Sequence, residues 1–318
     1  MKKLIAIGEA LIDFIPTEKG CSIGEVDTFH PVTGGAPANV CGAYTKLGGV
    51  SNMITQLGND AFGDKIEKDL KSFGIVTEHV LRTNEANTCL AFVSLMEDGN
   101  REFSFYRKPS ADMLLREQDI ESKWFEDSFA LHFCSVSLGE YPMKYAHKKA
   151  IEYAKKAGAL ISFDPNVRLP LWENHDALKQ TILEFLPLAD ILKISDEELE
   201  FITGYQTIEE AKEVLFQGNV KLVLFTKGAD GAELYTKNSK AVSEGKKVKA
   251  VDTTGAGDAF IGSFLYQISA DGITAETLSE ISEQKAIEYM NFSNAYCAYS
   301  VQGKGAIASY ATMEEMKK

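Results

Sequence analysis

Apolar runs with β-strand character alternate with amphipathic stretches of helical spacing through most of the chain. The predicted strands are 4–7, 53–57, 129–135, 160–164, 191–194, 222–226 and 232–235. The predicted helices are 38–47, 64–73, 144–157, 178–186 and 209–216, followed by a C-terminal helical block at 278–300. Alternation of this kind predicts an α/β fold with a mostly parallel central sheet that helices cover on both faces.

Two segments interrupt this alternation with strands that have no helix between them. Residues 12–33 predict a strand, a turn and a second strand. Residues 90–106 predict a hairpin around a Glu-Asp-Gly-Asn turn at 97–100. Both leave the same α/β core, so we predict a small β-sheet lid over the active face, formed by about 12–33 and 88–108. No Pro- or Ser-rich linker divides the chain, and residues 1–318 are therefore predicted to form a single domain.

Charge and cysteine content narrow the possible partners. A formal net charge of −13 leaves no basic surplus to neutralise the phosphates of a nucleic acid. No uncharged apolar run approaches the roughly 18 residues of a membrane span. The five cysteines are scattered and odd in number, which is typical of reduced thiols. We therefore expect a soluble, cytoplasmic protein with neither a nucleic acid nor a membrane as partner.

A short Gly-rich segment ending at Asp258 contains the strongest candidate chemistry. Gly255, Ala256 and Gly257 follow a β-like run at 247–251 and begin an apolar run of helical spacing. Small residues at a helix start let backbone N–H groups converge at the positive end of the helix dipole, a geometry that binds anions. A carboxylate beside such an anion hole can remove a proton as phosphoryl charge arrives, which indicates phosphoryl transfer to a hydroxyl with Asp258 as base. The alternative is a helix start built for close packing, in which Asp258 only compensates the dipole.

Two further segments contain candidate binding residues for a polyhydroxylated ligand. Gly34 and Gly35 precede a predicted helix and permit a ligand to approach the backbone, while Asn39 can both donate and accept hydrogen bonds. Taken alone, a tight turn before a helix is the better explanation of these residues. Asp13 lies in a strand-like run, where it could bind sugar hydroxyls or simply face solvent.

The loop from Thr226 to Gly231 follows one apolar strand and precedes another. Its glycines, Gly228 and Gly231, could let a nucleotide lie against the backbone. A bare G-x-x-G pattern is more often only a turn.

Together these segments resemble the two signatures of the ribokinase-like (pfkB-type) carbohydrate kinase family. The Gly-Gly-Ala-Pro-Ala-Asn run at 34–39, with glycines at 48, 58 and 63 downstream, is similar to the first signature, and residues 252–258 are similar to the second. The signatures lie in the family's order, with the 226–231 loop between them. The resemblance covers the whole chain and implies a ribokinase-like fold, an ATP-dependent sugar kinase and Mg²⁺ bound with the nucleotide.

Within the family the chain looks most like fructokinases, through segments 34–40, 105–112, 164–172 and 194–204. The resemblance implies a sugar pocket formed by Asp13, Gly34, Gly35, Asn39, Tyr106, Arg107 and Arg168. It implies nucleotide contacts from Thr226, Gly228, Gly231 and Asn294, the last near adenine. It also implies an Mg²⁺ contact through water at Glu198, a monovalent cation such as K⁺ at Asp252 and Thr254, and a homodimer through the lid. Ser195 departs from the pattern, because the family has asparagine there.

The substrate hypotheses depend on two arginines. A pair of guanidinium groups suits a carboxylate, and by resemblance the family's 2-keto-3-deoxygluconate kinases use arginines in segments comparable to those of Arg107 and Arg168. Alternatively, Arg107 pairs with Asp112, and Arg168 pairs with an internal acid such as Glu173. Our first hypothesis is conversion of D-fructose to fructose 6-phosphate; the second is a 2-keto-3-deoxygluconate kinase.

A third hypothesis is a non-catalytic sugar- or nucleotide-sensing protein on the same fold. The presence of Asp258 beside an intact Gly-Ala-Gly segment argues against it, since a binder has no need of a base.

Overall fold

The fold was obtained as a computed structural model, which describes residues 2–18, 20–95 and 101–318. The turn predicted at 97–100 lies outside the described residues. The strands are β1 (Lys3–Ile7), β2 (Leu11–Pro16), β3 (Phe29–Gly34), β4 (Ser51–Gly58), β5 (Val80–Thr83), β6 (Leu90–Leu95), β7 (Arg101–Tyr106), β8 (Ser128–Cys134), β9 (Leu160–Asp164), β10 (Ile191–Ser195), β11 (Leu222–Thr226), β12 (Gly231–Tyr235) and β13 (Lys240–Glu244). The α-helices are α1 (Ala36–Lys46), α2 (Ala61–Ser72), α3 (Pro142–Lys156), α4 (His175–Phe185), α5 (Asp196–Thr203), α6 (Ile208–Leu215), α7 (Ala256–Ala270), α8 (Glu283–Ser300), α9 (Ala306–Ser309) and α10 (Met313–Met316).

The larger sheet has the strand order β13-β12-β11-β10-β9-β8-β1-β4-β5. The seven strands β11, β10, β9, β8, β1, β4 and β5 run parallel to one another. β12 and β13 extend this sheet in antiparallel fashion beside β11. Successive residues of β8 point to opposite faces: Leu131 packs in the cluster that contains residues of α3 and α4, and Ala130 in the cluster that contains residues of α7 and α8. The predicted α/β fold, with a mostly parallel sheet between helical layers, is confirmed.

A separate small sheet has the order β3-β2-β6-β7 and accounts for both predicted β excursions. The sheet is mixed, since β2 pairs antiparallel with β3 and parallel with β6. Phe14 and Phe92 stack across this parallel pair with ring centroids 4.5 Å apart. The chain passes from β1 into β2 within a few residues, so the small sheet adjoins the carboxyl end of the central strand β1.

One strand prediction is wrong. Residues 247–251 form no strand and are all exposed; Val251 N–H donates to the carbonyl of Val301. Two lysines in five residues leave this run too little apolar surface for a place in the sheet. The strand lies earlier, at β13, where only the small residues Ala241 and Ser243 are buried on alternate positions.

The described helices include none that is long and apolar enough to cross a bilayer.

Candidate active site

The start of α7 is held in place by the C-terminal segment. Gly255 has a φ of 75°, and a Cβ atom there would lie 2.5 Å from Tyr310 Oη. Both the backbone angle and the lack of space require glycine. The Tyr310 hydroxyl donates to the Gly255 carbonyl at 2.7 Å, and Ala256 N–H donates to Thr253 O at 3.2 Å. Gly257 completes the first turn. An ordered loop rather than a strand thus leads into the helix.

Asp252 fixes the loop before this helix. Its Oδ1 accepts hydrogen bonds from the backbone N–H of Thr254 at 2.9 Å and from the Thr254 hydroxyl at 2.7 Å. Its Oδ2 accepts the Gly305 N–H at 3.0 Å, just before α9. The two residues predicted to hold a monovalent cation are therefore adjacent and tied to the C-terminal segment.

Asp258 lies in the first turn of α7 and is only 6% exposed. The Asn39 side chain donates to its Oδ2 at 2.8 Å, and the Asn166 side chain lies 3.4 Å from its Oδ1. Burial raises the pKa of Asp258, and the hydrogen bond from Asn39 opposes this rise. Asn39, predicted to hold sugar hydroxyls, thus contacts the candidate base from 219 residues away in sequence.

Glu198 is fixed by hydrogen bonds on both carboxylate oxygens. Oε1 accepts Val167 N–H at 2.7 Å, and Oε2 accepts the N–H and the hydroxyl of Ser195, each at 2.8 Å. Burial alone would raise its pKa, but the charge of Lys193 and these hydrogen bonds bring it below the ordinary value. Ser195 is the N-cap of α5, a role for which serine is well suited. The departure from asparagine therefore preserves the helix start.

Lys193 and Asp164 complete this group of buried charges. Lys193 Nζ lies 3.0 Å from Asp164 Oδ2, and their side chains are 6% and 0% exposed. The pKa of Asp164 is raised to about 6, mainly by burial and also by the charges of Glu198 and Asp258, against the opposing charge of Lys193. Sequence reasoning missed Asp164, Asn166 and Lys193 as functional candidates. A lysine within the apolar strand Ile-Leu-Lys-Ile was the available signal, since such strands bury charge only with a partner.

Asp13, Gly34 and Gly35 meet where the small sheet joins α1. A Cβ atom on Gly34 would collide with Asp13 Oδ2, so the carboxylate of Asp13 lies directly against the glycine backbone. The register between β2 and β3, which pairs Leu11 with Gly34, produces this contact. The structure thus brings these three predicted sugar residues together.

Arg107 is buried within the protein. Its Nη2 lies 2.5 Å from Asp112 Oδ2 and 3.2 Å from Ser137 Oγ, and its Nη1 donates to Val136 O at 3.1 Å. This is the pairing that we considered as the alternative to substrate binding. Tyr106, the preceding residue, is 65% exposed, so the two neighbours face different environments.

Arg168 is exposed and donates to the carbonyl of Val167 at 3.0 Å. Its charge lowers the pKa of Asp258, and Asn166, two residues earlier in the chain, lies 3.4 Å from that carboxylate. Glu173, the acid named as an example of an internal partner for Arg168, instead pairs with Lys108 Nζ at 2.8 Å. Of the two candidate arginines, Arg168 is the one whose guanidinium remains open to solvent.

The nucleotide candidates surround the antiparallel edge of the main sheet. Thr226 ends β11, and Gly228 and Gly231, both with positive φ, form the turn into β12. Asn294 on α8 donates to Ser243 Oγ at 2.8 Å on β13, which pairs with β12. These residues lie along one edge of the main sheet, separate from the Arg107–Asp112 ion pair.

A buried carboxylate beside a helix start, on an α/β fold with its own small sheet, is the arrangement expected of a sugar phosphotransferase. The sequence model of the pfkB family carbohydrate kinases matches residues 1–313, and the chain therefore belongs to that family. The chain is therefore a carbohydrate kinase rather than a non-catalytic sugar- or nucleotide-sensing protein.

Individual relatives share nearly the whole chain. Fructokinase-2 of Solanum lycopersicum is 44% identical over 313 residues, which cover 98% of this chain and 94% of the relative. The structure of a fructokinase with bound ATP from Xylella fastidiosa superimposes with a TM-score of 0.90 at 32% identity, covering 99% of this chain and 97% of the other. A fructokinase from Vibrio cholerae O395, solved with fructose, ADP and calcium ion, gives a TM-score of 0.86 at 33% identity, with coverages of 100% and 98%.

Proposed function

We propose that this carbohydrate kinase transfers the γ-phosphoryl group of ATP to a primary hydroxyl of D-fructose and releases fructose 6-phosphate and ADP. The observation that carries the proposal is the buried carboxylate of Asp258, held by Asn39 in the first turn of α7. The similarity to fructokinases over nearly the full length supports fructose as the sugar.

In the proposed step, Asp258 accepts the proton of the sugar hydroxyl while the hydroxyl oxygen bonds to the γ-phosphorus. The bond from that phosphorus to the β–γ bridging oxygen breaks, and ADP leaves with the electron pair. The backbone at Gly255, Ala256 and Gly257, with the positive end of the α7 dipole, stabilises the charge on the moving phosphoryl group. The raised pKa of Asp258 makes it a stronger base than an exposed aspartate.

On the sugar side, the proposal assigns hydroxyl contacts to Asp13, Gly34 and Gly35, with Arg168 at the open side of the pocket. Tyr106 lies on the small sheet, which we propose as the lid of a single domain spanning 1–318. Closure of the lid would exclude water, which otherwise competes as phosphoryl acceptor. A homodimer through the exposed face of this sheet belongs to the same proposal, and light scattering on the purified protein tests it.

On the nucleotide side, the proposal assigns ATP to Thr226, Gly228 and Gly231, with Asn294 near the adenine. The described residues contain no group of three or more His, Cys, Asp or Glu side chains that could hold a metal ion. This fits Mg²⁺, which commonly takes most of its ligands from phosphates and water. Glu198, whose oxygens already accept three protein hydrogen bonds, would orient a metal-bound water. When bound, Mg²⁺ reduces the charge that opposes attack on the phosphorus.

A monovalent cation at Asp252 and Thr254 is a further part of the proposal. Bound there, K⁺ would order the backbone amides of Gly255 to Gly257 and so raise turnover. Turnover measured in K⁺, in Na⁺ and in tetramethylammonium at equal ionic strength tests this. We expect the highest rate in K⁺, and equal rates in all three salts would contradict a cation site.

The second candidate substrate is 2-keto-3-deoxygluconate, and one observation weighs against it. Arg107 uses both terminal nitrogens within the protein, so Arg168 alone is left to bind a substrate carboxylate. A coupled assay of ADP release with fructose, ribose, glucose and 2-keto-3-deoxygluconate tests the proposal. We expect the highest kcat/KM with fructose. Efficient use of the keto acid without use of fructose would overturn the sugar assignment.

A further inference from the structure

Lys193 is a buried charged residue for which the proposed reaction has no role so far. It is the third residue of β10, near the middle of the main sheet, and is 5% exposed. Its neighbours Leu192 and Ile194 pack into the apolar cluster on the opposite face. An apolar residue would fit this strand at a far lower cost of desolvation than an ammonium group.

The ammonium group lies against the start of α7. Besides the 3.0 Å contact with Asp164 Oδ2, Lys193 Nζ lies 3.1 Å from the position that a Cβ atom on Gly257 would occupy. The side chain therefore reaches from the sheet to the glycine backbone that forms the proposed anion hole. The absence of a side chain at Gly257 leaves this approach open.

The charges around this ammonium group do not balance within the protein. Three carboxylates, those of Asp164, Glu198 and Asp258, act on the charge of Lys193. The charge of Arg168 also acts on Asp258, but from an exposed position. A phosphoryl group that arrives beside Asp258 adds more negative charge at this position. A fixed cation on its sheet side would offset the resulting repulsion, and its effect would be strong because the site is buried.

We propose that Lys193 is a catalytic residue whose ammonium group contacts the γ-phosphoryl group during transfer, and that Asp164 positions it. The inference rests on the phosphoryl transfer proposed above, but not on which sugar accepts the group. Lys193 remains protonated throughout: it donates a hydrogen bond to a phosphoryl oxygen, and the proton of the sugar hydroxyl goes to Asp258. The two buried groups thus divide the work, one as the base and the other as the cation.

The main competing explanation is that Lys193 only neutralises Asp164. Lys193→Met alone does not separate the two, because it leaves Asp164 buried without its partner and destabilises the fold. The Lys193→Met/Asp164→Asn double variant replaces the ion pair by two uncharged side chains. Asp164→Asn alone keeps the ammonium group and serves as the matched control. Thermal melts of all variants establish which ones are folded at the assay temperature.

Turnover gives the first readout. In the double variant we expect kcat to fall by about 10²–10³-fold, as for removal of one donor from an oxyanion hole. KM for fructose should change by less than about threefold, because the sugar pocket is untouched. The kcat of Asp164→Asn should fall by about tenfold or less. A folded double variant whose kcat lies within fivefold of the parent would overturn the proposal.

Nucleotide binding gives a second readout that needs no turnover. Aluminium fluoride with ADP and Mg²⁺ mimics a phosphoryl group in transfer, and such mimics bind more tightly than ground-state ligands. Calorimetric titration should show ADP alone binding parent and double variant within about threefold. Aluminium fluoride should increase the affinity for ADP in the parent protein but hardly in the double variant. An equal increase in both proteins would contradict the contact between Lys193 and the phosphoryl group. If the parent protein does not phosphorylate fructose but binds ADP more tightly in the presence of aluminium fluoride, only the sugar assignment is refuted.

Discussion

Two groups of buried charged residues lie near the carboxyl ends of the central strands, and they differ in how their charges are matched. The Arg107 cluster consists of Glu9, Arg107, Asp112 and Ser137. Here the guanidinium donates to Asp112, to Ser137 and to a backbone carbonyl, and the Ser137 hydroxyl donates to Glu9. The pKa of Glu9 is raised to about 7, because the effect of burial outweighs the opposing charge of Arg107. The cluster has two carboxyl groups to one guanidinium, but the raised pKa of Glu9 favours its neutral form, which leaves Arg107 and Asp112 as the ion pair.

The Asp258 cluster consists of Asp164, Lys193, Glu198 and Asp258. It contains three carboxylates to one ammonium group, and it lies under a helix start. Internal pairing cannot satisfy this combination, whereas a magnesium-bound triphosphate brings both a cation and an anion to it. A cluster that is matched internally supports the fold, and an unmatched cluster beside helix N–H groups indicates a place for a ligand.

The largest expected effect separates the clusters by stability. Arg107→Gln leaves Asp112 buried without its cation, so we expect the free energy of unfolding to fall by about 3–5 kcal/mol. Urea denaturation followed by circular dichroism measures this. The Arg107→Gln/Asp112→Asn double variant should recover much of the loss, and Arg168→Gln, at an exposed site, should change stability by less than about 0.5 kcal/mol. Equal losses for Arg107→Gln and Arg168→Gln would contradict the distinction.

A smaller effect is expected when Arg168 is assayed for its part in substrate binding. With fructose as substrate, Arg168 can only donate to a hydroxyl, and Arg168→Gln should cost about 0.5–1.5 kcal/mol in kcat/KM. With a carboxylate substrate the loss would be about 2–5 kcal/mol. Initial rates on fructose and on 2-keto-3-deoxygluconate distinguish the two cases. A loss on fructose as large as that expected for a carboxylate would show that Arg168 does more than contact a hydroxyl.

The smallest effect concerns the pKa of Asp258. Asp258 must be ionised to act as base, so activity is lost as the pH falls through its raised pKa. Asn39→Ala removes a hydrogen bond that favours the ionised form and should move the acidic limb of kcat/KM upward by about one pH unit. Asn166→Ala should move it less, because that contact is longer, at 3.4 Å. An acidic limb that stays in place, or moves to lower pH, in Asn39→Ala would contradict this arrangement.

Much of the fold was predictable because local patterns and tertiary packing agree. The central strands are continuous apolar runs, as is typical of strands buried on both faces, and each was predicted to within a few residues. The β13 strand was missed because its buried positions are Ala241 and Ser243, whose small side chains give no hydrophobic signal. Residues 247–251 had the alternation of a strand, but they have no neighbouring strand to pair with.

The candidate site was predictable only in part. Asp258 and Asn39 belong to segments with a recognisable sequence pattern, but the hydrogen bond between them joins positions 219 residues apart, which no local pattern encodes. The environments of Arg107 and Arg168 differ for the same reason. Each arginine lies two residues before a proline, and only the fold places Asp112 and Ser137 around Arg107 and leaves Arg168 at the surface.

The central claim is that a buried aspartate removes the proton of the sugar hydroxyl, and Asp258→Asn tests it most directly. Asparagine has nearly the same shape and can still accept the hydrogen bond from Asn39, so the fold should be unchanged. The dissociation constants of ATP and fructose, measured by calorimetry, should change only a few-fold. Turnover of fructose should fall by about 10²–10⁴-fold, the range for loss of a positioned general base. Turnover within tenfold of the parent protein would contradict the role of Asp258.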